Sequence, residues 1–277
     1  MSAERRGWSQ DELLIVFRLY CRTPFGRLHQ RNPEIIELAK LIGRTPGAVA
    51  MKACNFASLD PQQQARKIKA LGNVSRADRE LWEAFWDDSE GIAQEAEVAY
   101  SAMIGKNVEE FLQELDRRKK EIGKKRLAGK RTFFDELDIP NGATEKDVWL
   151  KTRRVQSFFR AAVLTSYGYR CALTDLAIPE LLNASHIIPW SVNEKRRADP
   201  RNGICLNAFH DRAFDRGLIS FDERFRVIVS SSIGKTEECE IHIHQLVEIS
   251  GRPLRLPERF QPEETALEYH RKKIFRP

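Results

Sequence analysis

No stretch of the chain approaches the roughly 18 uninterrupted apolar residues that a membrane span needs, so no membrane association is expected. The opening residues, Met1 to Trp8, carry charges with no apolar core behind them, and an amphipathic pattern begins at Ser9. That order predicts no secretory leader. Cysteine is scarce and scattered. Cys21, Cys54, Cys171, Cys205 and Cys239 are odd in number and contain no Cys-x-x-Cys pair, which argues against a disulfide framework and against a thiolate zinc ribbon. Internal repeats and low-complexity segments are also missing. A cytoplasmic protein in a reducing compartment fits these absences.

The 277 residues, 42% hydrophobic and 31% charged, carry enough apolar material for two compact units with a connector. The net charge of +6 is small but localised. Arg117, Arg118, Lys119, Lys120, Lys124, Lys125, Arg126, Lys130 and Arg131 stand against the single acid Glu121, a net of +8 within residues 117–131, so the remainder is slightly acidic. Such a block would sit favourably on a phosphate backbone, and Arg117 to Arg126 are predicted nucleic-acid contacts; a solvated helix face is the plainer reading.

Residues 1–60 predict three short helices. Ser9 with Glu12 forms a capping box before Leu13, Leu14, Val16, Phe17 and Tyr20 at helical spacing. Asn32-Pro33 starts a second helix that Gly43 closes, and Thr45-Pro46 starts a third that runs through Phe56. Two helices joined by Gly43-Arg-Thr-Pro46 describe a helix-turn-helix. The wording Leu41-Ile-Gly-Arg-Thr-Pro-Gly-Ala-Val49 resembles the helix junction of Myb/SANT-like trihelical modules. In that reading Lys52, Asn55 and Ser58 face a DNA groove. A three-helix protein-contact module is the alternative.

Residues 61–140 predict a helical connector. Leu81, Trp82, Phe85 and Trp86 read as core, and a helix from Val108 runs into the basic block. A turn cluster, Asp138-Ile-Pro-Asn-Gly-Ala-Thr144, marks a boundary near residue 140. Glu238, Glu240, His242 and His244 alternate with Cys239, Ile241 and Ile243, the period of a half-buried strand.

The chemistry-bearing residues lie in 141–277. After a helix ending near Tyr167 come Tyr167-Gly-Tyr-Arg-Cys-Ala-Leu-Thr174, then Leu182-Asn-Ala-Ser-His-Ile-Ile-Pro-Trp190, then Asn202-Gly203, then His210-Asp-Arg-Ala-Phe-Asp-Arg-Gly217. The order His186, Asn202, His210 resembles the HNH, or ββα-metal, endonucleases. The bacterial restriction-type subgroup is the nearest in wording, over about fifty residues from Arg170 to Ser220. The resemblance implies an α+β protein: a mainly helical N-terminal half with a helix-turn-helix-like module, and a C-terminal ββα-metal domain. It also implies a metal-dependent endodeoxyribonuclease in which His186 is the general base and Asn202 braces the hairpin beneath it. His210 holds one divalent ion, Mg²⁺ by expectation, with Mn²⁺ or another first-row ion as a substitute.

The sequence departs from the family pattern in two places. Ser185 stands where many members have an Asp or His metal ligand, so the second protein ligand could be Ser185, Asp215 or Asp211, or the shell could be completed by waters and phosphate oxygens. Thr174 stands where others have the second Cys of a zinc staple, so no structural zinc is expected. Double-stranded DNA, modified or not, is the expected partner, and a homodimer is one arrangement for double-strand cleavage. On this division residues 1–60 would supply targeting and a fragment from about 140 to 277 would keep the nuclease fold. The runner-up is a non-catalytic DNA-binding or regulatory protein that retains the ββα scaffold.

Overall fold

A computed structural model describes residues 6–66, 74–105, 143–233 and 239–277. The basic block, with Arg117, Arg118, Lys119, Lys120, Lys124, Lys125 and Arg126, lies outside the described residues, as do the helix expected from Val108 and most of the turn cluster near residue 140.

Local capping chemistry sets the first helices. α1 (Gln10–Arg22) begins with Ser9 Oγ accepting the Glu12 N–H while the Glu12 carboxylate accepts the Ser9 N–H. Asn32 caps α2 (Pro33–Leu41) and Thr45 caps α3 (Pro46–Leu59), each with a proline in the first turn where its missing N–H costs no helical bond. Gly43, at φ +65°, makes the left-handed turn between them. α4 (Pro61–Ala65), α5 (Arg76–Asp87) and α6 (Ser89–Met103) follow. Phe17, Tyr20, Phe56 and Phe85 are fully buried together, with Phe17 at 4.9 Å from Phe85 and 5.2 Å from Phe56 in edge-on contacts. Among the described residues α5 and α6 bury their apolar faces in the same core as α1–α3.

Lys52, Asn55 and Ser58 do not face outward. All three are buried, because α5 brings Asp78 against this face of α3. The Asp78 carboxylate accepts from Lys52 Nζ at 2.7 Å, from Asn55 Nδ2 at 3.3 Å and from the Ser75 N–H at 3.0 Å, so it pairs a buried cation and caps its own helix. The groove-reading role expected of these residues is thereby withdrawn.

The long helix α7 (Ala143–Ser166) shares itself between two cores. Val155, Phe158 and Ala162 enter the N-terminal one, whereas Phe159, Val163 and Leu164 enter the second. That second core lies around an antiparallel pair, β1 (Leu182–His186) and β2 (Gly203–Asn207), whose register runs from Leu182 opposite Asn207 to His186 opposite Gly203. α8 (Ala208–Asp215) starts directly after β2, with Asn207 Oδ1 accepting from the N–H groups of Phe209 and His210. A second hairpin, β3 (Ile219–Phe221) with β4 (Val227–Val229), and the helix α9 (Glu264–Lys273) complete the α+β arrangement. Glu238 lies outside the described residues, and from Glu240 onward the alternation is not a strand. The chain turns helically over Glu240–His242 and Ile243–Val247, satisfying its backbone locally through Ile243 N to Cys239 O and Glu248 N to Ile243 O. Among the described residues no helix is long and apolar enough to cross a membrane.

Candidate active site

β1, α7, α8 and the C-terminal end of α9 line a cleft of about 630 Å³. His186 ends β1 on its floor, half-buried, with its ring stacked on Phe159 of α7 at 3.7 Å and edge-on to Trp190. Its Nε2 lies 3.0 Å from the Arg197 carbonyl. A carbonyl can only accept, so Nε2 carries the hydrogen and Nδ1 keeps the lone pair. Burial holds the imidazole down to about 4 from its usual 6.5, so the ring is neutral near pH 7.

Asn202 sits behind this histidine. Its amide Oδ1 accepts from the Ile188 N–H at 2.8 Å and its Nδ2 donates to the Ile188 carbonyl at 3.1 Å, tying the chain just past His186 to the start of β2. A side chain that both donates and accepts is needed there, and an aspartate could not fill it.

Two carboxylates face the same cleft. Asp211 and Asp215, four residues apart on α8, share a helix face. Asp211 Oδ1 accepts from Ser185 Oγ at 2.5 Å and Oδ2 from Asn183 Nδ2 at 2.7 Å, so the residues of β1 fix its orientation. Partial burial, aided by the Asp211 charge, pushes Asp215 up to about 6 from the usual carboxylate range. The Arg212 and Arg216 charges offset this rise only in part. Oxygen donors whose like charge is only partly offset suit a hard divalent cation, although no group of three His, Cys, Asp or Glu side chains is clustered for one among the described residues.

His210 is placed elsewhere. It is fully buried, its Nε2 donates to the Gln245 carbonyl at 2.8 Å, and its Nδ1 accepts from Asn207 Nδ2 at 3.0 Å. Neither nitrogen keeps a lone pair for a metal, so the ligand role expected of His210 does not stand. Ser185 donates its hydroxyl hydrogen to Asp211, which ties it to that carboxylate. The signal for this correction was in the sequence. Residues 211 and 215 are one helical turn apart on the face that meets β1, whereas residue 210 points a further 100° or so round the helix.

Sequence reasoning missed the contribution of α7. Phe159, Arg153, Gln156 and Arg160 line the cleft from a helix whose apolar spacing alone says only that it is buried. No curated protein matches the chain. The family model described as HNH endonuclease matches residues 171–222, the stretch that carries β1, β2 and α8, so this part of the C-terminal half is similar to HNH endonucleases, a likeness that suggests nuclease activity in general.

Proposed function

We propose that this chain is a metal-dependent DNA endonuclease of restriction type, hydrolysing phosphodiester bonds in the cleft between α7 and α8. One observation carries the reading: a neutral histidine with a fixed tautomer faces the same cleft as a pair of carboxylates on a neighbouring helix. His186, with Nε2 tied to the Arg197 carbonyl, takes a proton from the attacking water at Nδ1. Asn202 holds the loop that orients it, and the stacked Phe159 ring keeps the imidazole from turning. Asp211 and Asp215 would hold one divalent ion, Mg²⁺ or Mn²⁺ by their oxygen donors, with Ser185 and Asn183 fixing Asp211 by hydrogen bonds. Such an ion supplies neutralisation of charge on the non-bridging and leaving oxygens. The N-terminal helical unit is the part that supports a restriction-type role, as a second body able to meet the substrate beyond the cleft. The cytoplasm suits the scattered cysteines.

A second reading, a DNA-binding protein that keeps the scaffold without cutting, draws support from the absence of a three-ligand cluster among the described residues. Incubating purified protein with plasmid DNA in Mg²⁺, Mn²⁺ or chelator separates the two. Cleavage should require the ion. It should fall by about 10²–10⁴ in His186→Ala, the usual contribution of a general base, and Asp211→Asn should demand more metal. His210→Gln should retain its metal requirement, since that ring is engaged in the core. Binding without cleavage under every ion would favour the scaffold reading.

A further inference from the structure

Resting on the nuclease reading, we propose that Arg153 and Arg160 of α7 grip the substrate phosphates on either side of the scissile one, making this helix the DNA-tracking wall of the cleft. The two arginines stand at i and i+7 with Gln156 between them, so all three lie along one helix face and line the cleft that holds His186, Asp211 and Asp215. Their Cα atoms are about 10 Å apart along the axis, from seven residues at ~1.5 Å each. That span suits two backbone charges flanking a third.

The state of the two guanidinium groups points to an anion. Three arginines between β1 and β2 are satisfied by acids: Arg196, Arg197 and Arg201 pair with Asp199, Glu90, Glu194 or Glu263. Neither Arg153 nor Arg160 has a carboxylate partner among the described residues. Arg153 donates to the Gln156 amide oxygen at 3.0 Å and lies over the Trp149 ring at 5.4 Å; Arg160 donates to the Pro179 carbonyl at 3.3 Å. Trp149 and Gln156 hold Arg153 in place, and the bond to its oxygen leaves the Gln156 NH₂ as a further donor. An ion held by the two carboxylates of the opposite wall would be balanced by their charge, so the flanking phosphates need cations of their own on the other side. A rigid guanidinium fork binds phosphate through two parallel bonds, which a lysine cannot reproduce. α7 also lies outside residues 171–222, so the cleft is completed by a part of the chain that the family match does not include.

The test uses the full chain in an His186→Ala background and a fluorescent duplex, with binding measured across a salt series. Arg153→Gln and Arg160→Gln should each weaken binding about tenfold or more, the size of one charge-assisted hydrogen bond. Each should also reduce the magnitude of the salt slope by about 0.9. The matched control, Arg76→Gln, removes one cation from an exposed site on α5 and should leave the slope unchanged. With His186 restored, single-turnover cleavage by the two variants should need more protein for saturation while the saturated rate changes little, a division that a folding defect would not give. Arg153→Lys should recover the salt slope but only part of the affinity. Wild-type cleavage with unaltered slopes in both Gln variants would overturn the proposal and leave the nuclease reading intact. A wild type that neither binds nor cuts would overturn both.

Discussion

Asp78 is the residue on which the N-terminal unit depends most visibly. Its carboxylate closes the first turn of α5 and neutralises Lys52 in a site where neither side chain meets solvent. Asp78→Ala should therefore cost about 3–5 kcal/mol, because it leaves a buried cation unpaired, and a urea titration would show this as a lower midpoint at an unchanged slope. Adding Lys52→Met should return part of the loss; if the single variant unfolds like wild type, the pair is not buried as described. His270 gives a prediction in pH. Its Nε2 donates to the Phe214 carbonyl at 3.1 Å, its Nδ1 accepts from Ser220 at 2.9 Å, and burial holds its pKa down to about 4. The unfolded chain takes up this proton below about 6.5 and the folded chain only near 4, so its contribution is whole above pH 6.5 and is lost as pH falls through that window. Comparing urea midpoints at pH 7 and pH 4.5, wild type should lose up to about 3 kcal/mol more than His270→Gln; equal losses would exclude this histidine as the cause. Neither role could be read from sequence. Lys52 and Asn55 look like groove-readers until the partner arriving from 26 and 23 residues away is known.

At the scale of elements, what was legible is what local chemistry decides. Ser9, Asn32 and Thr45 are caps by residue type and neighbours alone, and α1 to α3 start where those residues place them. The β1–β2–α8 succession is the ββα unit that the resemblance of the His186, Asn202 and His210 motifs implied. The segment from Glu240 to Val247 was not legible, since alternation says which residues share a face only once the chain is known to be extended. The meeting of α7 with β2 depends on a distant contact as well, and Gly203 is its narrowest point. A Cβ there would lie 2.5 Å from Val163 Cγ2 and 2.7 Å from Phe159 Cζ. Gly203→Ala should push β2 off α7, at a cost of about 1–3 kcal/mol, and shift the ring on which His186 stacks. Cleavage should fall by more than the stability loss explains when assayed well below the melting midpoint. Unchanged activity would mean that the Phe159 stack does not orient the histidine.

For the whole molecule, the expectation of a separable nuclease fragment meets the way the two cores are joined. α7 gives Val155, Phe158 and Ala162 to the N-terminal core and Phe159 and Val163 to the other, so neither half is closed without it. A second tie runs through Arg259. This fully buried guanidinium donates to the carbonyls of Tyr20 at 2.6 Å and Cys21 at 3.0 Å, at the C-terminal end of α1, where the helix leaves acceptors open and its dipole favours a cation. Beside it Phe260 packs against Tyr20 at 5.9 Å and Gln63 donates to the Glu258 carbonyl. Cutting the chain at residue 143 would expose the α7 residues and Phe260 to water and strip Arg259 of both acceptors, each an independent penalty. The fragment 143–277 should therefore associate or unfold non-cooperatively and show no ion-dependent cleavage, while the intact chain should unfold in one transition with coincident far-UV and tryptophan signals. Arg259→Met in the full chain isolates the second tie: it should lower the midpoint of that single transition without splitting it. Two resolved transitions in the intact protein, or a fragment that unfolds cooperatively and cuts DNA, would show that the halves are joined only in series and that the cleft needs nothing from the first hundred residues.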